Sequence, residues 1–273
     1  MNLFSPAEFV GNYASVGQKK ATMPALRLFL LAILAGFFIG LGGAVTNTAT
    51  HALQNVSVIR MLSGLLFPVG LVMVVLTGSE LFTGNCLITI SVLEKKTTIG
   101  GMLRNLGIVY VGNFIGALLL AAGCAYFGQL NYSAGGLAVA TIKLAAAKCA
   151  MPFGNALVMG ILCNVLVCAA VMMALCAKDA TGRALGAYVP ICVFVLCGFE
   201  HCVANMFYVP AGLFAMTIPE YAAQAAAAGI NTASLTWGGF LLGNLLPVTL
   251  GNIIGGVAFA AAIWTGYHVA PEK

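Results

Sequence analysis

Gly198-Phe199-Glu200-His201-Cys202-Val203-Ala204-Asn205 interrupts an apolar run that would otherwise be long enough to cross a membrane. Gly78-Ser79-Glu80-Leu81-Phe82-Thr83-Gly84-Asn85 does the same 120 residues earlier. The two strings share glycine at the first place, glutamate at the third and asparagine at the eighth, and a proline precedes each, Pro68 and Pro190. Working outward, Gly112-Asn113-Phe114-Ile115-Gly116 matches Gly251-Asn252-Ile253-Ile254-Gly255 at an offset of 139. Gly36 and Gly40 match Gly160 and Asn164 at an offset of 124. These matches keep one order, so the chain is a tandem repeat. Three spans per half, an odd number, force the halves into opposite orientations.

Composition places this repeat in a bilayer. Hydrophobic residues make up 61% of the 273, charged residues 7%, and the mean hydropathy is +1.02. Soluble domains carry about a quarter charged residues, so this chain lacks the polar surface to coat a globule in water. The predicted spans are 25–45, 59–77, 101–126, 153–177, 185–197 continuing as 203–218, and 236–265. The first apolar run, Ala25 to Val45, is of spanning length and is expected to be retained rather than cleaved as a leader. The fold class is an all-α polytopic membrane protein with six transmembrane helices in two inverted three-helix repeats, its second and fifth helices broken. Residues 25–265 are expected to form the six-span membrane domain, with repeats over 25–126 and 153–265. Before it, 1–24 holds an amphipathic helix opened by the capping box Ser5-Pro6-Ala7-Glu8. That helix is expected to pack on the membrane domain rather than to gate it. Residues 266–273 form a tail. Nine Lys and Arg fall on the side of the termini and three, Arg60, Lys143 and Lys148, on the other. That bias predicts cytoplasmic termini. The nine cysteines are odd in number and form no Cys-x-x-Cys pair. They are expected to be small buried hydrophobes, with no disulfide framework, metal site or cofactor.

In hydrocarbon every backbone N–H and C=O needs a partner, so a broken span persists only where it is buried in protein or lines a wet cavity. Two breaks facing each other therefore mark a pathway. Glu80 and Glu200 follow the breaks and are expected to accept the freed backbone N–H groups, a proton relay being the alternative. His201 is the only histidine inside a span, and its repeat partner is Leu81, so scaffold symmetry does not require it; it is expected to face the pore. Thr83 stands opposite Val203 and offers a hydroxyl to the lumen. Asn85 and Asn205 suit helix caps. Asn164 replaces a glycine of the first half, which suggests a polar task. Lys143 and Lys148 either attract anions at the outer mouth or are solvated surface.

These strings, with Asn244-Leu245-Leu246-Pro247-Val248-Thr249-Leu250-Gly251-Asn252, resemble the motifs of the formate/nitrite transporter family. The Gly-Phe-Glu-His-Cys form and the length look closest to its hydrosulfide channel branch. The resemblance covers essentially the whole chain and implies an aquaporin-like protomer in a homopentamer, each protomer with its own pore. It implies two apolar constrictions about a central histidine, His201, faced by Thr83. Leu71, Phe82 and Val167 would form the inner constriction and Phe67, Leu81 and Phe194 the outer. Lys148 and Asn164 would draw the anion in, with Glu200 and Asn205 beside the pathway and Cys202 a modifier of selectivity. The implied permeants are small monovalent anions, hydrosulfide first with formate and nitrite related. The implied site is a bacterial cytoplasmic membrane, with the lipid bilayer and no nucleic acid as partner. Two crossing modes follow: proton exchange at His201, giving the neutral acid, or passage as the anion. A proton-coupled transporter is the nearest alternative. An aquaporin-type pore for neutral solutes would need paired Asn-Pro-Ala loops, and only Val209-Pro210-Ala211 comes near. A membrane enzyme would need a clustered acid, base or metal set, which the sequence does not supply.

Overall fold

A computed structural model describes residues 3–268, and the described chain is helical throughout apart from its turns and one isolated bridge. The first half comprises α1 (Pro6–Ala21), α2 (Ala25–Thr50), α3 (Val56–Leu66), α4 (Val69–Thr77), α5 (Phe82–Asn85), α6 (Ile88–Leu93) and α7 (Ile99–Tyr126). The second comprises α8 (Gly136–Cys149), α9 (Phe153–Cys176), α10 (Ala180–Cys197), α11 (Cys202–Met216), α12 (Pro219–Ala227) and α13 (Leu246–His268), the last entered through a π-helical turn at Gly239–Leu245. Among the described residues, six helical stretches are long and apolar enough to span a bilayer: Ala25–Thr50, Val56–Thr77, Ile99–Tyr126, Phe153–Cys176, Ala180–Cys197 and Gly239–His268.

Several span limits differ from those predicted. The first runs to Thr50 rather than residue 45. The hydroxyls of Thr46, Thr48 and Thr50 donate to the carbonyls four residues back at 2.7, 2.8 and 2.8 Å, so these polar residues stay helical. The fifth starts at Ala180 rather than residue 185, because the Asp179 carboxylate accepts the Gly182 N–H at 2.8 Å and caps it. The sixth continues to His268, so the first three residues of the expected tail are helical, while 269–273 lie outside the described residues. Beyond α11 the chain turns by 98° into α12.

The breaks are built alike. Gly78 and Gly198 end their helices at φ 69° and 73°, in the left-handed region that favours glycine. The following N–H groups turn back: Ser79 to the Val74 carbonyl at 3.0 Å and Phe199 to Phe194 at 3.1 Å. Span packing also repeats. α2 lies against α7, and α9 against α13. Gly116 sits against the Ile33 carbonyl and Gly255 against that of Ile161, the close backbone approach that small residues permit between membrane helices.

The N-terminal helix is more than a surface appendage. Its capping box forms as expected, with Ser5 N–H donating to Glu8 at 2.7 Å and Glu8 N–H to Ser5 Oγ at 3.3 Å. Phe9, Val10, Tyr13 and Ala14 are buried, largely against α6. Seven of the nine cysteines are buried, Cys192 is half-buried and Cys197 is exposed.

Candidate functional site

Two cavities enter from opposite faces and share no lining residue. With the face that carries α1 called inner, the inner cavity holds about 250 Å³ and the outer about 460 Å³. Leu71, Leu81 and Glu80 line the inner one, together with Tyr13, Lys20 and Arg183. Phe67, Phe194, Glu200 and His201 line the outer, with Lys148 and Asn205. Phe67 and Leu71 are one helical turn apart along α3 and α4, so the cavity ends lie close. Across the gap, Thr83 Oγ1 and His201 Nε2 are hydrogen-bonded at 2.8 Å, both buried.

His201 is also the N-cap of α11: its Nδ1 accepts the Ala204 N–H at 3.1 Å. A nitrogen that accepts carries no hydrogen, so in the neutral ring the hydrogen sits on Nε2 and points at Thr83. The Thr83 hydroxyl, accepting from His201, keeps its own hydrogen free to donate elsewhere. A doubly protonated ring would set N–H against N–H at Ala204 and lose the cap.

The glutamates do not brace the breaks as predicted. That work falls to Asn113 and Asn252. Asn113 Oδ1 accepts the Phe82 N–H at 2.9 Å, and its Nδ2 donates to the carbonyls of Ala32 and Glu80 at 2.7 and 2.9 Å. Asn252 repeats this with Cys202 N–H at 2.9 Å and the carbonyls of Gly160 and Glu200 at 2.8 and 3.0 Å. Freed N–H groups need an acceptor and freed C=O groups a donor, and one carboxamide supplies both where a carboxylate cannot.

The glutamates instead hold buried ion pairs. Lys20 Nζ donates to Glu80 at 2.7 Å and to Asn85 Oδ1 at 3.2 Å. Asn85 Nδ2 donates to Glu80 at 2.7 Å and to Asn105 Oδ1 at 2.8 Å, and Asn105 Nδ2 returns to the Lys20 carbonyl at 2.9 Å. On the outer side Lys148 Nζ donates to both oxygens of Glu200 at 2.8 and 2.9 Å. Asn205 Nδ2 bonds Glu200 and Asn244 Oδ1, each at 2.7 Å, and Asn244 Nδ2 reaches the Lys148 carbonyl at 3.0 Å. Asn85 and Asn205 are therefore not helix caps; Leu81 and His201 occupy the N-cap positions. Lys148 is not solvated surface either, its side chain being 13% exposed. Lys143 lies elsewhere, in a surface depression with Asn231 and Ser234.

Other predicted site residues are placed as follows. Asn164 lines neither cavity: its Nδ2 donates to the carbonyls of Asn252 at 2.6 Å and Thr83 at 3.3 Å, so it ties the first break to α13, which carries the brace of the second. Leu81 lines the inner cavity with Leu71 rather than joining Phe67 and Phe194 on the outer. Phe67 and Phe194 meet edge to face at 5.7 Å. The Phe82 ring packs on Tyr110 of α7 at 4.8 Å, and Val167 is buried. Cys202 is fully buried and lines neither cavity.

Sequence reasoning missed Lys20 and Asn105, although both left a signal. Lys20 stands five residues before Ala25, the start of α2, as Lys148 stands five before Phe153, the start of α9. Asn105 precedes Asn244 by the same 139 that relates Asn113 to Asn252. The repeat thus begins at α1, not at residue 25, and α8 is its counterpart.

A six-span inverted repeat with a polar pair between two opposed cavities defines a membrane transport protein. The sequence profile of the formate/nitrite transporter family matches residues 7–266, and the chain belongs to that family. It is 35% identical to a probable formate transporter of Methanothermobacter thermautotrophicus, over 95% of each chain. To the formate channel FocA of Escherichia coli (strain K12) it is 34% identical, over 93% of this chain and 91% of that one. A solved pentameric formate channel with formate bound superposes with a TM-score of 0.78 at 35% identity, covering 91% of this chain and 97% of that chain. A solved FNT family ion channel gives 0.81 at 27% identity, covering 97% and 99%. Membership of a family of transport proteins sets the enzyme alternative aside.

Proposed function

We propose that this chain is a selective channel for small monovalent anions of weak acids, with formate, nitrite and hydrosulfide as the candidate permeants. The observation that carries the reading is the Thr83–His201 hydrogen bond of 2.8 Å set between two opposed cavities. An anion enters a mouth, sheds water against Phe67 and Phe194 or against Leu71 and Leu81, and meets the free hydrogen of the Thr83 hydroxyl. His201 serves there as a neutral hydrogen-bond donor to Thr83. It cannot hand over its Nε2 hydrogen and stay neutral unless Nδ1 gains one, which breaks the cap on α11. The geometry therefore favours passage without proton donation by His201. Asn164 supports the site through the Thr83 carbonyl rather than by direct contact.

The solved pentameric relative supports a homopentamer of such protomers. The asymmetry of basic residues supports cytoplasmic termini, and relatives such as that of Escherichia coli support a bacterial membrane. Two observations bear on the permeant. The Gly198–Cys202 string points to hydrosulfide, while the relatives named above are formate proteins. A stopped-flow panel of formate, nitrite and hydrosulfide into proteoliposomes ranks them. The reading predicts saturable flux of at least one, without a requirement for a proton gradient. Flux that collapses when the gradient is dissipated would make the chain a proton-coupled transporter instead.

A further inference from the structure

The lysines at the two mouths are poor candidates for anion capture, because each is already matched by a carboxylate, Lys20 by Glu80 and Lys148 by Glu200. Each cavity nonetheless holds one further cation. Arg60 lines the outer cavity and Arg183 the inner. Neither forms an ion pair among the described residues. The Arg60 side chain makes no hydrogen bond there, and that of Arg183 makes one, from Nε to the Ala177 carbonyl at 3.1 Å, leaving its terminal nitrogens open. Among the described residues, the only carboxylate lining each cavity is the glutamate its lysine holds. Asp179, one turn before Arg183, makes no ion pair with it; its carboxylate caps the Gly182 N–H.

The two arginines are not exact repeat partners, since the offset of 120 pairs Arg60 with Ala180, but both stand near the starts of corresponding helices. Arg60 is the fifth residue of α3 and Arg183 the fourth of α10, the corresponding helices of the two halves. Inversion of the halves sends one to each face. On the outer side the seat is specific. A Cβ built on Gly198 would lie 2.9 Å from Arg60 Nη1 and 3.2 Å from Cζ, so the guanidinium lies directly over the break. There it stands at the C-terminal end of α10, whose unsatisfied carbonyls favour a cation. A carboxylate partner is thus not needed to hold it in place, and its fork stays open to a small planar or diatomic anion.

We propose that Arg60 and Arg183 are the anion-capture residues of the outer and inner mouths, each acting as the uncompensated charge of its vestibule. This rests on the channel reading above. An open charge in a narrow mouth raises the local anion concentration and accelerates entry, an effect that salt screens. The matched Lys–Glu pairs, being neutral overall, contribute far less to that field.

The test is formate flux measured from each face, in right-side-out and inside-out membrane vesicles. Arg60→Gln should raise the half-saturating concentration for entry from the outer face by about three-fold or more and flatten its dependence on ionic strength. Entry from the inner face should be unaltered. Arg183→Gln should give the mirror result. Arg60→Lys should restore most of the entry rate, and Lys143→Gln, an outer charge outside the cavity, should leave it unchanged. Melting temperature in detergent guards against a folding defect; if Arg60→Gln fails to fold, the salt dependence of wild type and Arg60→Lys still decides. Wild-type conduction with the same half-saturation in all variants, or with no salt dependence, overturns the capture role alone. Wild type that conducts none of the three anions overturns the channel reading, and the capture role with it.

Discussion

At His201 the structure changes what a substitution should reveal. The ring caps α11 through Nδ1 and holds Thr83 through Nε2. His201→Asn keeps a short side-chain acceptor at the N-cap, whereas His201→Ala removes it at a cost of about 1 kcal/mol. Asn should therefore retain near wild-type melting in detergent while altering flux, and Ala should lower both. If Ala conducts like wild type with the same pH dependence, the histidine plays no part in permeation. Asn113 and Asn252 carry a different burden. Replacing Asn113 by Ala leaves the Phe82 N–H and the Ala32 and Glu80 carbonyls without their partner, each buried group costing about 1–3 kcal/mol. Asn113→Ala and Asn252→Ala should each cause a large fall in melting temperature, and so should Asn113→Asp, which keeps an acceptor but loses both donated bonds. An unaltered melting temperature in Asn113→Ala would show that the break is held by something else. The sequence marked both asparagines by their repeat but not their task. An asparagine inside an apolar helix says only that a polar partner exists, and here the partner is backbone freed some 31 and 50 positions away in the chain.

At the scale of elements, the glycines of α7 separate contact from propensity. A Cβ on Gly116 would run into the Ile33 carbonyl of α2, while one on Gly107 meets nothing within 4 Å. Gly116→Ala should push α2 from α7 and destabilise by about 1–3 kcal/mol. Gly107→Ala, free of any neighbour, should be neutral or gain up to about 1 kcal/mol of helix propensity. Thermal unfolding of the two variants in detergent compares them directly, and equal effects would rule out close packing as the reason for Gly116. The spans themselves were legible because about 20 apolar residues leave no soluble alternative. The breaks were legible because glycine followed by glutamate has no place in an uninterrupted span. Helix α1 was only half legible. Its amphipathic spacing and capping box mark a helix, yet neither shows that Lys20 reaches an acid 60 residues on. The π-helical turn at Gly239–Leu245 left no periodic signal, although it sets Asn244 on the Lys148 carbonyl.

Across the whole molecule, the few charges fall into a pattern that the inverted repeat explains. Each half sends one lysine from an interfacial helix into a glutamate beside its own break, so α1 and α8 are keyed to the two mouths in the same way. α1 is pinned further where Phe4 N–H donates to the Cys176 carbonyl at 2.8 Å and where Ser91 Oγ donates to the Tyr13 carbonyl at 3.2 Å. If this keying is structural, the ion pair matters through the charge it would strand. Lys20→Met leaves Glu80, with a side chain 4% exposed, without its counter-ion, and breaking such a buried pair costs about 3–5 kcal/mol. Lys20→Met/Glu80→Gln removes the stranded charge and should recover most of that loss, since an amide can still accept from Asn85. Lys148→Met and Lys148→Met/Glu200→Gln should follow the same course at the other face. Lys19→Met, one residue from Lys20 and outside the network, should be nearly silent. Melting temperatures of the five variants test the keying directly. Recovery in both double variants is the expected result. A double variant no more stable than its single would show instead that the lysine, and not the stranded glutamate, is what the fold requires at that mouth.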